Sequence, residues 1–402
     1  MSPQVQPLES SSEAQSRLPH PGPEPGRALR KRPQQADSPV QKQKRRRTQT
    51  PRPNPPPPRP HRDASLTVLR QTREGIKFFL SLEQMGENLP LNITNLMKNE
   101  QCTGLVGIEG SIWAAVDRSV VQPKLEPLGT EGKHVSMMVF VVSSTLAGAV
   151  HLVNKRDRRV LPRIQPPSER PSDQACVEVL DKLISKRPDG VGKFYYAGPA
   201  EFSSGPVGKL LADLLHPGAL KTLPELHGAN TPWVYWGTAS SATAFHKEDA
   251  DWGSYNLVLC GWKLWILIRH ESNEAFERLI ERYSPRGDCN QWLAHNQLLV
   301  SPEVLATESI KFDIHVAGSG DLVFTRPRQY HAVVNVTDCL AIAINFCPVG
   351  SAPVPKVVAC SRCGLYTSGF DGVELMDPER ERQQTRLLPA PPKRILKRKR
   401  RN

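Results

Sequence analysis

Gly261-Trp262-Lys263-Leu264-Trp265-Ile266-Leu267-Ile268 opens on a turn residue and runs on as a short apolar segment too brief for a buried helix. Around it lie Trp233-Val234-Tyr235-Trp236, Tyr255-Asn256-Leu257-Val258-Leu259, Asp321-Leu322-Val323-Phe324 and Leu340-Ala341-Ile342-Ala343-Ile344, each bounded by Gly, Pro or Asp. Many short strands with such punctuation predict a mainly β fold, a sandwich or barrel. Residues 272–310 read as a helical insertion between strands. Upstream, 207–215 is predicted helical up to His216-Pro217-Gly218. Helical spacing also marks 173–186, through Cys176, Val177, Leu180, Leu183 and Ile184. Val/Ile/Phe runs broken by Gly predict strands over 103–160, and Ile76, Phe79, Leu80 and Leu82 suggest a helix-rich start over 65–100. The apolar stretch Val135–Val153 contains Ser136, Ser143, Ser144, Thr145 and His151, which favours buried strands over a membrane span.

Charge is unevenly divided along the 402 residues. The net +13 separates into +8 over residues 1–63, +8 over 385–402 and −3 over everything between. A uniformly basic nucleic-acid-binding domain is therefore excluded; the positive charge sits on two appendages of a near-neutral body. Residues 1–63 also hold 15 of the 38 prolines, including Pro55 to Pro58, and are predicted disordered. Within them, Arg30-Lys31-Arg32 and Lys42–Arg47 form two basic clusters resembling a bipartite nuclear-import signal, compatible with non-specific polyanion binding. The N-terminus lacks the apolar core of a secretory signal, and eight cysteines then suggest a reducing compartment. The expectation is a soluble, intracellular, nuclear protein.

Phe245-His246-Lys247-Glu248 is read as extended, so that His246 and Glu248 point to one face. With a distant second histidine, His331 of Arg328-Gln329-Tyr330-His331, they make a two-histidine, one-carboxylate set that leaves open positions on Fe(II) for a bidentate co-substrate and O₂. His-x-Glu alone arises easily by chance. Lys263, flanked by Trp262 and Trp265, adds to it: if buried, it needs an anion such as the distal carboxylate of 2-oxoglutarate, and if not, it is an ordinary strand-edge lysine. A second cluster pairs Cys289-x5-His295 with Cys360-x2-Cys363. Two thiolates at that last spacing can share a tetrahedral Zn²⁺, or form a redox pair. Cys102, Cys176, Cys260, Cys339 and Cys347 read as buried thiols.

Gly228-Ala229-Asn230-Thr231-Pro232-Trp233-Val234-Tyr235-Trp236-Gly237, His246-Lys247-Glu248-Asp249, Asn256, Lys263-x-Trp265 and Tyr330-His331-Ala332 together resemble a Jumonji-C oxygenase domain, over roughly residues 190–365. The chain is most similar to the zinc-clip demethylases of trimethylated lysine-9 and lysine-36 on histone H3. The resemblance implies a double-stranded β-helix, jelly-roll or cupin-like, with Fe(II) on His246, Glu248 and His331. It implies that Lys263 holds the far carboxylate of 2-oxoglutarate with Asn256 and a tyrosine placed at Tyr196, while Thr325 and Trp265 line that pocket. Cys289, His295, Cys360 and Cys363 match the family's zinc clip, apart from one extra residue in the final pair. Gly228, Trp233, Tyr235, Ala343, Ile344 and Asn345 match the methyl-lysine pocket, with Trp233 where a tyrosine is usual and Ala343 and Ile344 where small hydroxylated residues are usual. Aromatic faces suit a quaternary ammonium, which cannot donate hydrogen bonds; plain core packing is the other reading of Trp233 and Tyr235.

The expected organisation is a basic leader (1–63), a mixed scaffold segment (64–160) without a recognisable JmjN segment, the Jumonji-C barrel (161–350), a zinc-clip segment (351–376) and a basic tail (377–402). The expected reaction is oxidative demethylation of methylated lysine on a histone tail, with Fe(II), 2-oxoglutarate, O₂ and structural Zn²⁺. Expected partners are a methylated histone tail, of H3 by the resemblance, a nucleosome or chromatin complex, a nuclear import receptor, and DNA through non-specific contacts of the basic tails; no membrane partner is expected. A 2-oxoglutarate-dependent hydroxylase of protein or RNA and a non-catalytic chromatin adaptor are the alternatives.

Overall fold

The computed structural model describes residues 66–67, 69–70, 77–116, 119–123, 126–127, 133–146, 148–159, 169–185, 193–223, 230–284, 286, 292–351, 357–358 and 375–376. Its first strands are β1 (Phe78–Leu80), β2 (Leu105–Ile108), β3 (Val121–Pro123), β4 (Glu126–Pro127), β5 (Lys133–Leu146), β6 (Ala149–Arg159) and β7 (Lys193–Phe202). Then come β8 (Trp233–Gly237), β9 (Ala242–His246), β10 (Gly253–Cys260), β11 (Lys263–Ile268), β12 (Leu298–Val300), β13 (Phe312–Ala317), β14 (Asp321–Thr325), β15 (His331–Asn335) and β16 (Cys339–Phe346). Helices α1 (Leu89–Met97), α2 (Asp173–Ser185), α3 (Pro206–Leu214), α4 (Asn273–Tyr283), α5 (Trp292–Asn296) and α6 (Pro302–Thr307) surround them.

Two sheets carry the fold. The large one runs β1-β2-β14-β10-β16-β8-β7-β5-β6-β12, with β3 on β7 and β4 on β5; the small one runs β13-β11-β15-β9. From β8 to β11 and again from β13 to β16, successive strands alternate between the sheets. That alternation is the winding of a double-stranded β-helix, and the mainly β, jelly-roll expectation holds.

Period-two alternation assigns the faces. In β11, Leu264, Ile266 and Ile268 join an outer cluster with α2 and α4, through Val177, Leu180, Phe276 and Ile280. Trp265 and Leu267 point the other way, meeting Val258 of β10 and Val323 of β14 from the opposite sheet. In the large sheet Tyr255, Leu257, Leu322, Phe324, Ile342 and Phe346 face a second outer cluster with Met85, Leu89, Ile93 and Leu211. With both faces covered, these strands read as continuous apolar runs.

The upstream segment adds strands to the same large sheet, so strands from 64–160 and from 161–350 share one ladder. Phe78–Leu80 is a strand, not the helix its spacing suggested: it pairs in parallel with β2, burying Leu80 while Phe79 stays exposed. Residues 173–185 and 206–214 are helices as expected, and Val135–Val153 is spanned by β5 and β6. Among the described residues, no helix is long and apolar enough to cross a membrane.

Candidate metal centre

Between β9 and β15 the register changes by one residue. Ala242 faces Val334 and Thr243 faces Val333, but His246 faces His331. The extra residue in β9 is a bulge. Ala242, Ala244 and Phe245 all reach the outer cluster, where the Phe245 ring lies 4.8 Å from that of Phe276. Thr243 and His246, three residues apart, are left facing inward. Glu248 lies past the strand end at His246, so it is not on a strand as the extended reading held.

His246, Glu248 and His331 nevertheless converge: one ligand atom from each lies within 4.8 Å of the others. His331 Nε2 is 3.4 Å from Glu248 Oε1, and the two imidazole rings are 4.1 Å apart. His246 Nδ1 lies 2.9 Å from the Ala244 carbonyl, and His331 Nδ1 3.1 Å from that of Gln329. A carbonyl only accepts, so each Nδ1 carries a proton and donates it there. Burial and the neighbouring His331 lower the pKa of His246 to about 4. Burial works against ionisation of Glu248, but the His331 hydrogen bond and both imidazoles outweigh it and hold the carboxyl at about 2. At neutral pH His246 is thus neutral and Glu248 a carboxylate, as a divalent ion requires. Two imidazole nitrogens and one carboxylate oxygen suit a divalent transition metal.

The space between the sheets beside these donors is polar. Lys263 is 2% exposed, with its ammonium 5.8 Å from the centre of the Tyr235 ring, and burial lowers its pKa. Among the described residues no carboxylate pairs with it. Asn256 Oδ1, Trp265 Nε1 and Asn335 Oδ1 are buried without hydrogen-bond partners among the described residues. Unpaired buried groups of this kind favour a polar guest. The Trp265 ring stacks on His331 at 5.8 Å, and the Thr325 hydroxyl takes the Ser254 amide at 3.0 Å.

Two adjacent-residue assignments change. Tyr196, opposite Trp236, packs in the outer cluster of the large sheet, whereas Tyr195 turns inward with its hydroxyl 2.9 Å from that of Thr243. The tyrosine facing the cavity is therefore Tyr195. Ile344 likewise packs outward, while Ala343 and Asn345 alternate to the inner side. Asn345 Nδ2 donates to Glu248 Oε2 at 3.3 Å. Trp233, opposite Ala343, and Tyr235 share the inner face of β8. Asn335 was not singled out from sequence, although it falls on the His331 face by alternation and sits opposite Lys263. Gly228, Cys289, Cys360 and Cys363 lie outside the described residues; His295 is on α5.

Residues 233–346, the strands that carry this cluster, match the family described as JmjC domain, hydroxylase. The chain is 31% identical over 177 residues to lysine-specific demethylase 4D of Rattus norvegicus, covering 41% of this chain and 35% of the relative. It is 30% identical over 164 residues to lysine-specific demethylase 4B of Mus musculus, covering 39% of this chain and 15% of that protein. The chain thus spans about a third or less of the length of these curated relatives. Residues 233–346 are thus similar to the JmjC domain family, and the chain to the lysine-specific demethylases.

Proposed function

We propose that the chain is an Fe(II)- and 2-oxoglutarate-dependent oxygenase that removes methyl groups from lysine on a histone tail. The observation that carries this reading is the convergence of His246, Glu248 and His331 in a barrel that also buries Lys263 with no carboxylate partner among the described residues. His246 and His331 would hold iron through Nε2, and Glu248 through its carboxylate. When bound, iron would supply activation of O₂, one oxygen atom oxidising 2-oxoglutarate to succinate and CO₂ and the other oxidising the N-methyl group, whose carbon would leave as formaldehyde.

The chain's own residues bind, orient and exclude water. The backbone carbonyls of Ala244 and Gln329 fix the ring orientations of the two histidines, and Asn345 fixes the Glu248 carboxylate. Lys263 offers its charge to the far carboxylate of 2-oxoglutarate, with Asn256 supplying a polar side chain and Tyr195 the nearby phenol. Thr325 and Trp265 close that pocket, and Val258, Leu267, Val323 and Val333 keep the adjoining interior dry. Trp233 and Tyr235, with Ala343 and Gly228, flank the methyl-lysine.

In the same reading, Cys289, His295, Cys360 and Cys363 bind a structural Zn²⁺ that ties the 272–310 insertion to a C-terminal segment at 351–376. The leader 1–63 engages an import receptor and directs the chain to the nucleus, and the tail 377–402 adds salt-sensitive contact with DNA. The methylated tail, of H3 by likeness to the relatives, is met on the nucleosome.

Purified protein incubated with Fe(II), 2-oxoglutarate and trimethyl-lysine histone peptides tests the reading. Loss of methyl mass with formaldehyde release is expected from the wild type and not from His246→Ala. Succinate release with one added oxygen and no methyl loss would replace demethylation by hydroxylation. Peptide binding with neither product would make the domain an adaptor.

A further inference from the structure

Glu248 lies beyond the end of β9, whereas His246 and His331 stand on their strands. The turn that follows contains two consecutive non-glycine residues in the left-handed region, Ala250 (φ 51°) and Asp251 (φ 59°). Each such residue costs about 1–2 kcal/mol, and the arrangement persists only where its surroundings over-determine it.

Asp251 makes the side-chain contacts that can do so. Its Oδ1 accepts from Lys247 Nζ at 2.5 Å, and the Lys247 side chain, between two of the converging residues, is only 11% exposed. Its Oδ2 lies 3.6 Å from Nε of Arg328. Arg328 is itself left-handed (φ 64°), and its carbonyl accepts from Asn273 Nδ2 at 3.0 Å. The next residue, Gln329, supplies the carbonyl beside His331 Nδ1. One carboxylate thus joins the segment bearing Glu248 to the turn leading into His331. A largely buried lysine tied to this carboxylate prevents the turn from unwinding without stranding a charge.

We infer that Asp251 is a positioning residue, which with Lys247 clamps the Glu248 turn in ligating geometry and couples it to the His331 turn. This rests on the reading of His246, Glu248 and His331 as metal ligands. The sequence gives no hint of it: Lys247 and Asp251 look like two solvated charges, and only the left-handed turn brings them together.

The test is metal affinity, read by titrating Co(II) into full-length protein that holds Zn²⁺ at the proposed Cys/His site but is metal-free at His246, Glu248 and His331, and following visible absorption. Wild type is expected to bind one equivalent and His246→Ala none; failure of the wild type to bind would remove the metal reading, and the clamp with it. Asp251→Asn keeps a residue tolerant of the left-handed turn but loses the charge. It and Lys247→Met are each expected to weaken Co(II) binding by about 10- to 100-fold, the range for groups that orient metal ligands. The double variant should lose no more than the worse single one, because both remove one interaction. Thermal midpoints of the metal-free variants should stay within about 4 °C of wild type, and Ala250→Gly should retain wild-type affinity. Unchanged affinity in Asp251→Asn, or losses that multiply in the double variant, would overturn the clamp. Should Asp251→Asn fail to fold, Lys247→Met carries the same test, and unchanged affinity there overturns it equally.

Discussion

The two faces of β10, β11 and β15 are both buried but chemically unlike. In β11, Leu264, Ile266 and Ile268 pack outward among aliphatic and aromatic neighbours; inward, among the described residues, Lys263 has no carboxylate partner and the Trp265 indole N–H no hydrogen-bond partner. The same division recurs in β15, where Ala332 and Val334 face out while His331 and Asn335 face in, and in β10, where Tyr255 and Leu257 face out while Ser254 and Asn256 face in. Burial of apolar area on the outer faces stabilises the fold. Burial of polar groups on the inner face opposes it, and in the proposed function a bound guest satisfies them.

That contrast can be broken from either side. The largest expected effect is that of His246→Ala: 2-oxoglutarate turnover assayed by succinate release falls to background, while the far-ultraviolet spectrum and thermal midpoint change little. On the opposite face, Ile266→Ala is expected to cost about 2–5 kcal/mol of unfolding free energy in urea, with cobalt affinity of the folded fraction unchanged. Lys263→Met separates the two roles of one position. Calorimetric affinity for 2-oxoglutarate should fall at least about thirty-fold, since the buried anion loses its counter-charge. The metal-free protein should be no less stable, because an uncompensated buried charge has been removed.

A smaller effect sharpens the contrast through pH. His246 in the folded metal-free protein has a pKa of about 4, below the ordinary histidine value, so the unfolded chain takes up its proton first. Its contribution to stability is complete above pH about 6.5 and is lost as pH falls toward 4. The thermal midpoint should drop across that window, and His246→Gln should flatten the slope. An unchanged slope would mean that His246 is not buried neutral.

The outer face was the legible one. The apolar run Leu264–Ile268 and the helical spacing in 173–186 follow from burial against a core, and both elements lie where the sequence puts them. The inner face was legible in residue types and less so in placement. His246, Glu248 and His331 converge, but through a bulge at Phe245 that depends on what β15 and α4 offer as neighbours. Tyr195 and Tyr196 are chemically equivalent in sequence; only the ladder to β8, which sets Tyr196 opposite the outward Trp236, decides between them. Phe78–Leu80 carried a helical pattern that pairing with β2 overrode.

The most direct test of the central claim is an anaerobic calorimetric titration of 2-oxoglutarate into the full-length protein, with and without Fe(II). The account predicts saturable one-to-one binding that requires the metal and disappears in His246→Ala. Binding of equal strength without metal, or in His246→Ala, would contradict it.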